Sequence, residues 1–147
     1  MQIREARRGD EEAIHSLICE LALYEKAPDE VINTVDQLRI DLFEDPVCEA
    51  LVVENDLQEV VGFALYYQSY STWKGRCLYL EDFFVKPEFR RGGIGSRLFS
   101  KVVDLAKERG VKRMDWQVLD WNEPAIAFYK KHEAILDGEW MNGRFFF

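Results

Sequence analysis

Apolar residues recur along the chain at two different spacings, and the changes from one spacing to the other mark out its elements. Ile14, Leu17, Ile18 and Leu21 repeat at i, i+3, i+4 and i+7, the stripe of an amphipathic helix. Asp10 stands where a helix cap belongs, and Pro28 requires this helix to end before it. Thr34-Val35-Asp36-Gln37 reads as a capping box opening a second, shorter helix that includes Leu38 and Leu42. Residues 2–5, 50–53, 60–67 and 78–85 are strand-like, with Asn55-Asp56 marking a hairpin turn between the second and third of them. A glycine-rich turn follows Pro87, and helical spacing then resumes over 94–108, with Ile94, Leu98, Val102 and Leu105/Ala106 as its apolar face and Gly110 as its stop. Residues 111–119 read as a strand, 124–131 as a short helix and 145–147 as a terminal strand. The order β-α-α-β-β-β-α-β-α-β predicts an α+β (mixed α/β) fold with strand, glycine turn and helix at its centre.

No internal repeat, low-complexity stretch or linker interrupts the pattern, so residues 1–147 are expected to form a single domain. The longest nearly continuous apolar run, 60–67, contains a Gly and is far shorter than the roughly 18 residues of a membrane span. The first eight residues have no apolar core, so no signal peptide is expected. Charge narrows the partners further. The net charge is −8, the opposite of what a sequence-independent nucleic-acid binder needs, so nucleic acid is not expected as a partner; without an apolar run of spanning length, neither is a membrane. Cys19, Cys48 and Cys77 are odd in number, widely spaced and without a C-x-x-C pair; reduced thiols in a cytoplasmic protein are the expectation, and no metal site is evident. His15 and His132 lie on different elements and read as surface or packing residues.

Three segments carry candidate chemistry. Arg90-Arg91-Gly92-Gly93-Ile94-Gly95-Ser96 joins a strand to a helix. Glycines there allow a sharp turn that points several N–H groups at one place, and the helix N-terminus adds partial positive charge, which suits a pyrophosphate. The rivals fail on detail: no Lys-Ser/Thr follows the glycines, position 98 is Leu, not the Gly of a dinucleotide fingerprint, and Ser96 directly follows Gly95, so no nucleophile elbow is present. In 78–85, Glu81 and Asp82 are adjacent carboxylates in an apolar strand. Strict alternation sends them to opposite faces, at least one of them toward an interior or cleft; the plain alternative is an edge strand with both groups solvated. In the third segment, Asn122 can cap a helix with Pro124 in its first turn, leaving Phe128-Tyr129 one to two turns in. Taken alone, Tyr129 is a packing residue with a wet hydroxyl.

Together these segments resemble the GNAT N-acetyltransferase superfamily, whose pyrophosphate signature is matched by Arg90-x-x-Gly93-x-Gly95. The run from Tyr79 to Val85, Gly93-Ile94-Gly95-Ser96, Trp121-Asn122-Glu123-Pro124 and Phe128-Tyr129-Lys130 are similar to the diamine acetyltransferases, those of spermidine/spermine and their thialysine-acetylating relatives. Leu21-Ala22-Leu23-Tyr24-Glu25 and Val61-Gly62-Phe63-Ala64-Leu65-Tyr66-Tyr67 match the same group, so the likeness covers essentially the whole chain. One departure is that this chain reads His132-Glu133-Ala134 where the group usually has a Gly after the Phe-Tyr helix.

The resemblance implies a central mixed, mostly antiparallel sheet flanked by helices, with acetyl-CoA at the strand–glycine turn–helix. It implies direct transfer of acetyl from acetyl-CoA to a primary amine of a small cationic substrate: a diamine, a polyamine or a lysine-like amino acid. By position, Glu81 would be the base, through water, and Tyr129 the acid that protonates the leaving sulfur. Backbone groups of Phe83, Phe84 and Val85 would hold the pantetheine arm and polarise the carbonyl; Arg91, Gly92, Gly93, Ile94, Gly95 and Ser96 would cradle the pyrophosphate, with Asn122 and Ala125 touching the cofactor. Tyr24, Glu25, Trp73 and Asp82 would line the amine pocket, where carboxylates and rings suit a cation. A homodimer is the assembly this group implies. The alternatives are an acetyltransferase for a protein amino group or an antibiotic, or a CoA-binding module without catalysis.

Overall fold

In a computed structural model describing residues 1–147, the strand-like runs pair into one sheet in chain order: β1 (Gln2–Glu5), β2 (Glu49–Glu54), β3 (Val60–Ser71), β4 (Gly75–Val85) and β5 (Met114–Asp115). The first three joints are antiparallel and the last is parallel. Helices α1 (Glu11–Tyr24), α2 (Val35–Arg39), α3 (Ile94–Glu108) and α4 (Glu123–Lys131) complete the chain, α2 running on through a wider turn over Ile40–Glu44. The chain divides into two units, Met1–Trp116 and Gln117–Phe147.

In the first unit, the sheet is apolar on both faces and each face has its own helices. Ile14 and Leu17 of α1 and Leu38 and Leu42 of α2 pack with Ala50, Val52, Phe63, Leu65 and Phe84 of the sheet. Buried residues of α3 (Ile94, Leu98, Phe99, Val102 and Ala106) trace the stripe read from the sequence, with Phe99 added. Phe99 meets Phe83 and Trp116 edge-on, at ring separations of 5.8 and 5.5 Å. Gly62 permits the close spacing of β3 and β4, because a Cβ there would lie 3.0 Å from the Phe84 carbonyl oxygen and 3.0 Å from Val85 Cγ2. Gly110 ends α3 as expected: at φ +69° it lets Val111 N–H reach the Ala106 carbonyl and its own N–H reach that of Lys107.

Several local expectations change. Thr34 caps α2, its Oγ1 accepting from Gln37 N–H at 3.1 Å. Asp10 precedes α1 but makes no side-chain cap. Its carboxylate is held by Arg4 at 2.7 and 3.0 Å and by Arg7 N–H, while Arg4 also bonds Glu54. That charge-assisted network ties β1, α1 and β2 together and holds the Asp10 carboxyl below its ordinary value against its own burial. The hairpin turn expected at Asn55-Asp56 joins β2 to β3 as a five-residue loop, 55–59, in which Asn55 Oδ1 accepts from Leu57 and Glu59 N–H. The strand expected over 111–119 shrinks to Met114–Asp115, pairing only with Leu78 and Tyr79 of β4. The terminal strand expected over 145–147 does not form: no strand pairs with it and its three rings are exposed.

Candidate active site

The glycine turn takes the form the sequence requires. Gly92 and Gly93 have φ of +87° and +77°, values that favour glycine, and α3 starts immediately after them. A Cβ on either would meet nothing within 4 Å, so this backbone lies open and approachable. The first turn of α3 has no acidic residue and no side-chain cap, which leaves its N–H dipoles to an outside anion. Arg91 and Arg97 are exposed beside it. Donor set and open backbone both fit the pyrophosphate of acetyl-CoA. Along β4, β5 pairs with Leu78 and Tyr79 alone, so no strand of the sheet runs beside Leu80–Val85 on that side.

The carboxylates are arranged differently from the alternation argument. Leu65 opposes Asp82 while its neighbour Tyr66 opposes Leu80, so Glu81 is an extra residue, a β-bulge. Opposed residues share a face. Tyr67 and Tyr79 oppose each other on the α1 side of the sheet, as do Leu65 and Asp82, and Phe63 and Phe84. Two residues beyond Tyr79, Glu81 falls on that side too, where Tyr67 Oη donates to its Oε2 at 3.4 Å. Glu81 and Asp82 therefore share one face. The bulge cancels the alternation that would have separated them.

The electrostatics follow from this grouping. Burial, then the charges of Glu81 and Glu25, pushes the Asp82 carboxyl up to about 7. Glu25 is itself raised by burial. Glu25 caps the C-terminus of α1, and Lys26 at φ +63° turns the chain so that Ala27 N–H bonds the Ala22 carbonyl. That turn ends α1 directly after Glu25. Tyr67, stacked on Tyr79 with ring centroids 5.3 Å apart, has its hydroxyl pushed up to about 12 by burial and by Glu81, so it stays a donor. Tyr67 was missed in the sequence; its only signal was its place in an apolar strand one hairpin away from Tyr79. Tyr24, at the end of α1, lies under the Arg90 guanidinium. Trp73 does not join this group in the chain. The β3–β4 hairpin is longer than its apolar runs suggested and puts Trp73 in the end turn, 82% exposed; the strand from Gly75 to Glu81 spans roughly 20 Å.

In the second unit, α4 begins as expected. Asn122 Oδ1 accepts from Ala125 N–H at 3.3 Å and Pro124 lies in the first turn. Tyr129 is buried and meets Phe128 edge-on at 5.5 Å; Phe128 in turn packs on His132. The departure at His132-Glu133-Ala134 keeps a glycine-type turn without a glycine. Glu133 has φ +61°, and Ala134 N–H bonds the Tyr129 carbonyl at 3.1 Å. The other histidine, His15, places Nε2 2.7 Å from the Asn33 carbonyl. All three cysteines are free thiols. No helix is long and apolar enough to cross a membrane.

The model of the acetyltransferase (GNAT) family matches residues 12–133. Thialysine N-epsilon-acetyltransferase of Bos taurus is 48% identical over 88% of this chain and 81% of its own length. The protein of that name in Mus musculus is 40% identical over 98% and 91%. Among solved structures, a possible acetyltransferase from Clostridium difficile 630 superposes with a TM-score of 0.81 at 22% identity, covering 99% of this chain and 97% of that one.

Proposed function

We propose, because the chain belongs to the GNAT acetyltransferase family, that it is an acetyl-CoA-dependent N-acetyltransferase acting on a primary amine of a small cationic molecule. Acetyl-CoA supplies an acetyl thioester, activated for attack by an amine. The observation that carries the substrate class is the bulge at Glu81, which brings Glu81 and Asp82 to one face of the sheet, where Glu25 at the end of α1 acts on Asp82. Three carboxylates there attract cations, and an ammonium entering would offset their mutual repulsion. Diamines, polyamines and lysine-like amino acids fit that field better than neutral amines.

An alkylammonium with a pKa near ~10 must lose a proton before it can attack. Glu81, exposed and steadied by Tyr67, takes that proton, through water. Gly92 to Ser96, with Arg91, would hold the pyrophosphate at the start of α3, and backbone groups of Phe83, Phe84 and Val85 would hold the pantetheine arm. By the same resemblance, Asn122 and Ala125 would touch the cofactor, and Tyr129 would supply the proton for the leaving sulfur. Tyr24, Glu25 and Asp82 line the amine pocket. We take residues 1–147 as one acetyltransferase domain, acting as a homodimer on the family pattern and in the cytoplasm, where free thiols are stable.

The test is turnover, read as free CoA released, across matched amines: a diamine, a lysine analogue, a monoamine, an aminoglycoside and a peptide N-terminus. Higher kcat/KM for the two dicationic small molecules is the expected result. Preference for the peptide or the aminoglycoside would overturn the substrate class, and CoA binding without turnover of any amine would overturn the activity.

A further inference from the structure

Arg90 opens the glycine-turn signature, and the obvious role for it is on a phosphate. Its side chain turns the other way. Nε donates to the Val85 carbonyl at 2.8 Å, at the end of β4. The guanidinium carbon lies 5.4 Å from the Phe84 ring centroid and 5.9 Å from that of Tyr24, inside the range of a cation–π contact for both. Phe84 belongs to the core under α1, and Tyr24 is the last residue of α1, directly before Glu25. One planar cation thus joins the end of β4 to the end of α1.

We propose that Arg90 is a positioning residue for the amine side of the site, holding Tyr24 and with it Glu25 in place, and that Arg91 serves the phosphate. This rests on the reading of the acidic face as the amine pocket. Its support is that Glu25 lies near enough to Asp82 to act on its charge, so a shift of the α1 end changes the field a cation meets. Lys is a poor replacement for Arg here, since an ammonium lacks both the planar stacking face and the Nε–H.

The experiment compares Arg90→Met, which keeps the apolar stem, with Arg91→Met. Both arms are binding measurements by calorimetry: CoA alone, then 1,4-diaminobutane in the presence of saturating CoA. Arg90→Met should leave CoA affinity within about twofold and weaken the diamine about fivefold or more, a loss of about 1 kcal/mol. Arg91→Met should do the reverse. Weakened CoA binding in Arg90→Met, as large as its effect on the diamine or larger, would overturn the proposal; so would an unchanged diamine affinity. If Arg90→Met does not fold, Arg90→Lys is measured instead, with the same split expected. A wild type that binds CoA but no diamine removes the amine pocket and this role together, whereas binding without turnover counts against the proposed reaction alone.

Discussion

Replacing Asp82 by Asn removes a carboxyl whose ionisation the fold opposes, with almost no change of shape. Burial and the two neighbouring carboxylates raise this group from the ordinary 3.8 to about 7. Between those values the folded protein keeps the proton and the unfolded chain has lost it. The unfolded state then binds fewer protons, so stability falls as pH rises through this window and levels off above about 7. The full rise corresponds to about 4 kcal/mol, at 1.36 kcal/mol for each pKa unit. Water reaching the partly open side of the pocket, and relaxation of Glu81 and Glu25, reduce this to about 2 kcal/mol. Asn has no proton to lose, so the variant should match the wild type near pH 4 and be about 2 kcal/mol more stable at pH 8. Urea unfolding of both proteins at pH 4.5, 6 and 8 measures this directly, and for a domain of this size the gap at pH 8 is several degrees in Tm. Amine affinity should fall in the same variant. A stability difference that does not grow with pH, or a wild type at least as stable as the variant at pH 8, would refute the grouping of three carboxylates on one face.

Other residues give sharp outcomes as well. Gly93→Glu should fold, since a Cβ there meets nothing, at a strain of about 1–2 kcal/mol for its φ of +77°; the thermal shift given by CoA should vanish, and a normal shift would remove the pyrophosphate assignment. Tyr129→Phe should lower kcat roughly 10²-fold or more with little effect on CoA binding, whereas near-normal kcat with chemistry rate-limiting would leave Tyr129 a packing residue. Glu81→Gln should shift or abolish the acidic limb of the rate–pH profile and recover activity at high pH; an intact limb points to a different base. Glu133→Gly relieves a left-handed backbone at the end of α4 and should raise stability by about 0.5–1 kcal/mol, read as a higher Tm; a lower Tm would mean that the Glu133 side chain outweighs the strain.

Long-range order and short-range chemistry were not equally legible. The α3 stripe, the glycine turn and the strand–turn–helix order follow from spacing alone, because a helix face and a positive φ leave marks in local sequence. The same holds for Thr34 and Asn122, whose caps are local. Asp10 misled for a related reason: the residue type suits a cap, but Arg4, six positions earlier, offers a charged partner with two donors, and the carboxylate goes to the stronger bond. Strand 111–119 was overextended because its apolar spacing says nothing about how far its partner accompanies it. Trp73 was placed with the amine pocket by resemblance; the register of the β3–β4 hairpin puts it in the end turn.

The bulge is the least legible feature and the one on which the site depends. Nothing in Leu80-Glu81-Asp82-Phe83 announces an extra residue, since the segment alternates plausibly with or without one. Regular pairing would have kept Asp82 on the same face as Leu80, across the sheet from Glu81. One unpaired residue rotates the remainder of β4, so that Phe84 reaches the core under α1, Phe83 reaches Phe99 of α3, and two carboxylates meet a third on the α1 side. Bulges gather at sites because they aim side chains that a regular ladder would keep apart. Here the aim has an opposing consequence: it crowds like charges into a half-buried space, which lowers the stability of the free protein at neutral pH. A cation is the ligand that relieves that crowding, and a proton on Asp82 is its competitor. In the proposed site, stability, amine binding and pH dependence therefore all trace to a single residue inserted into one strand.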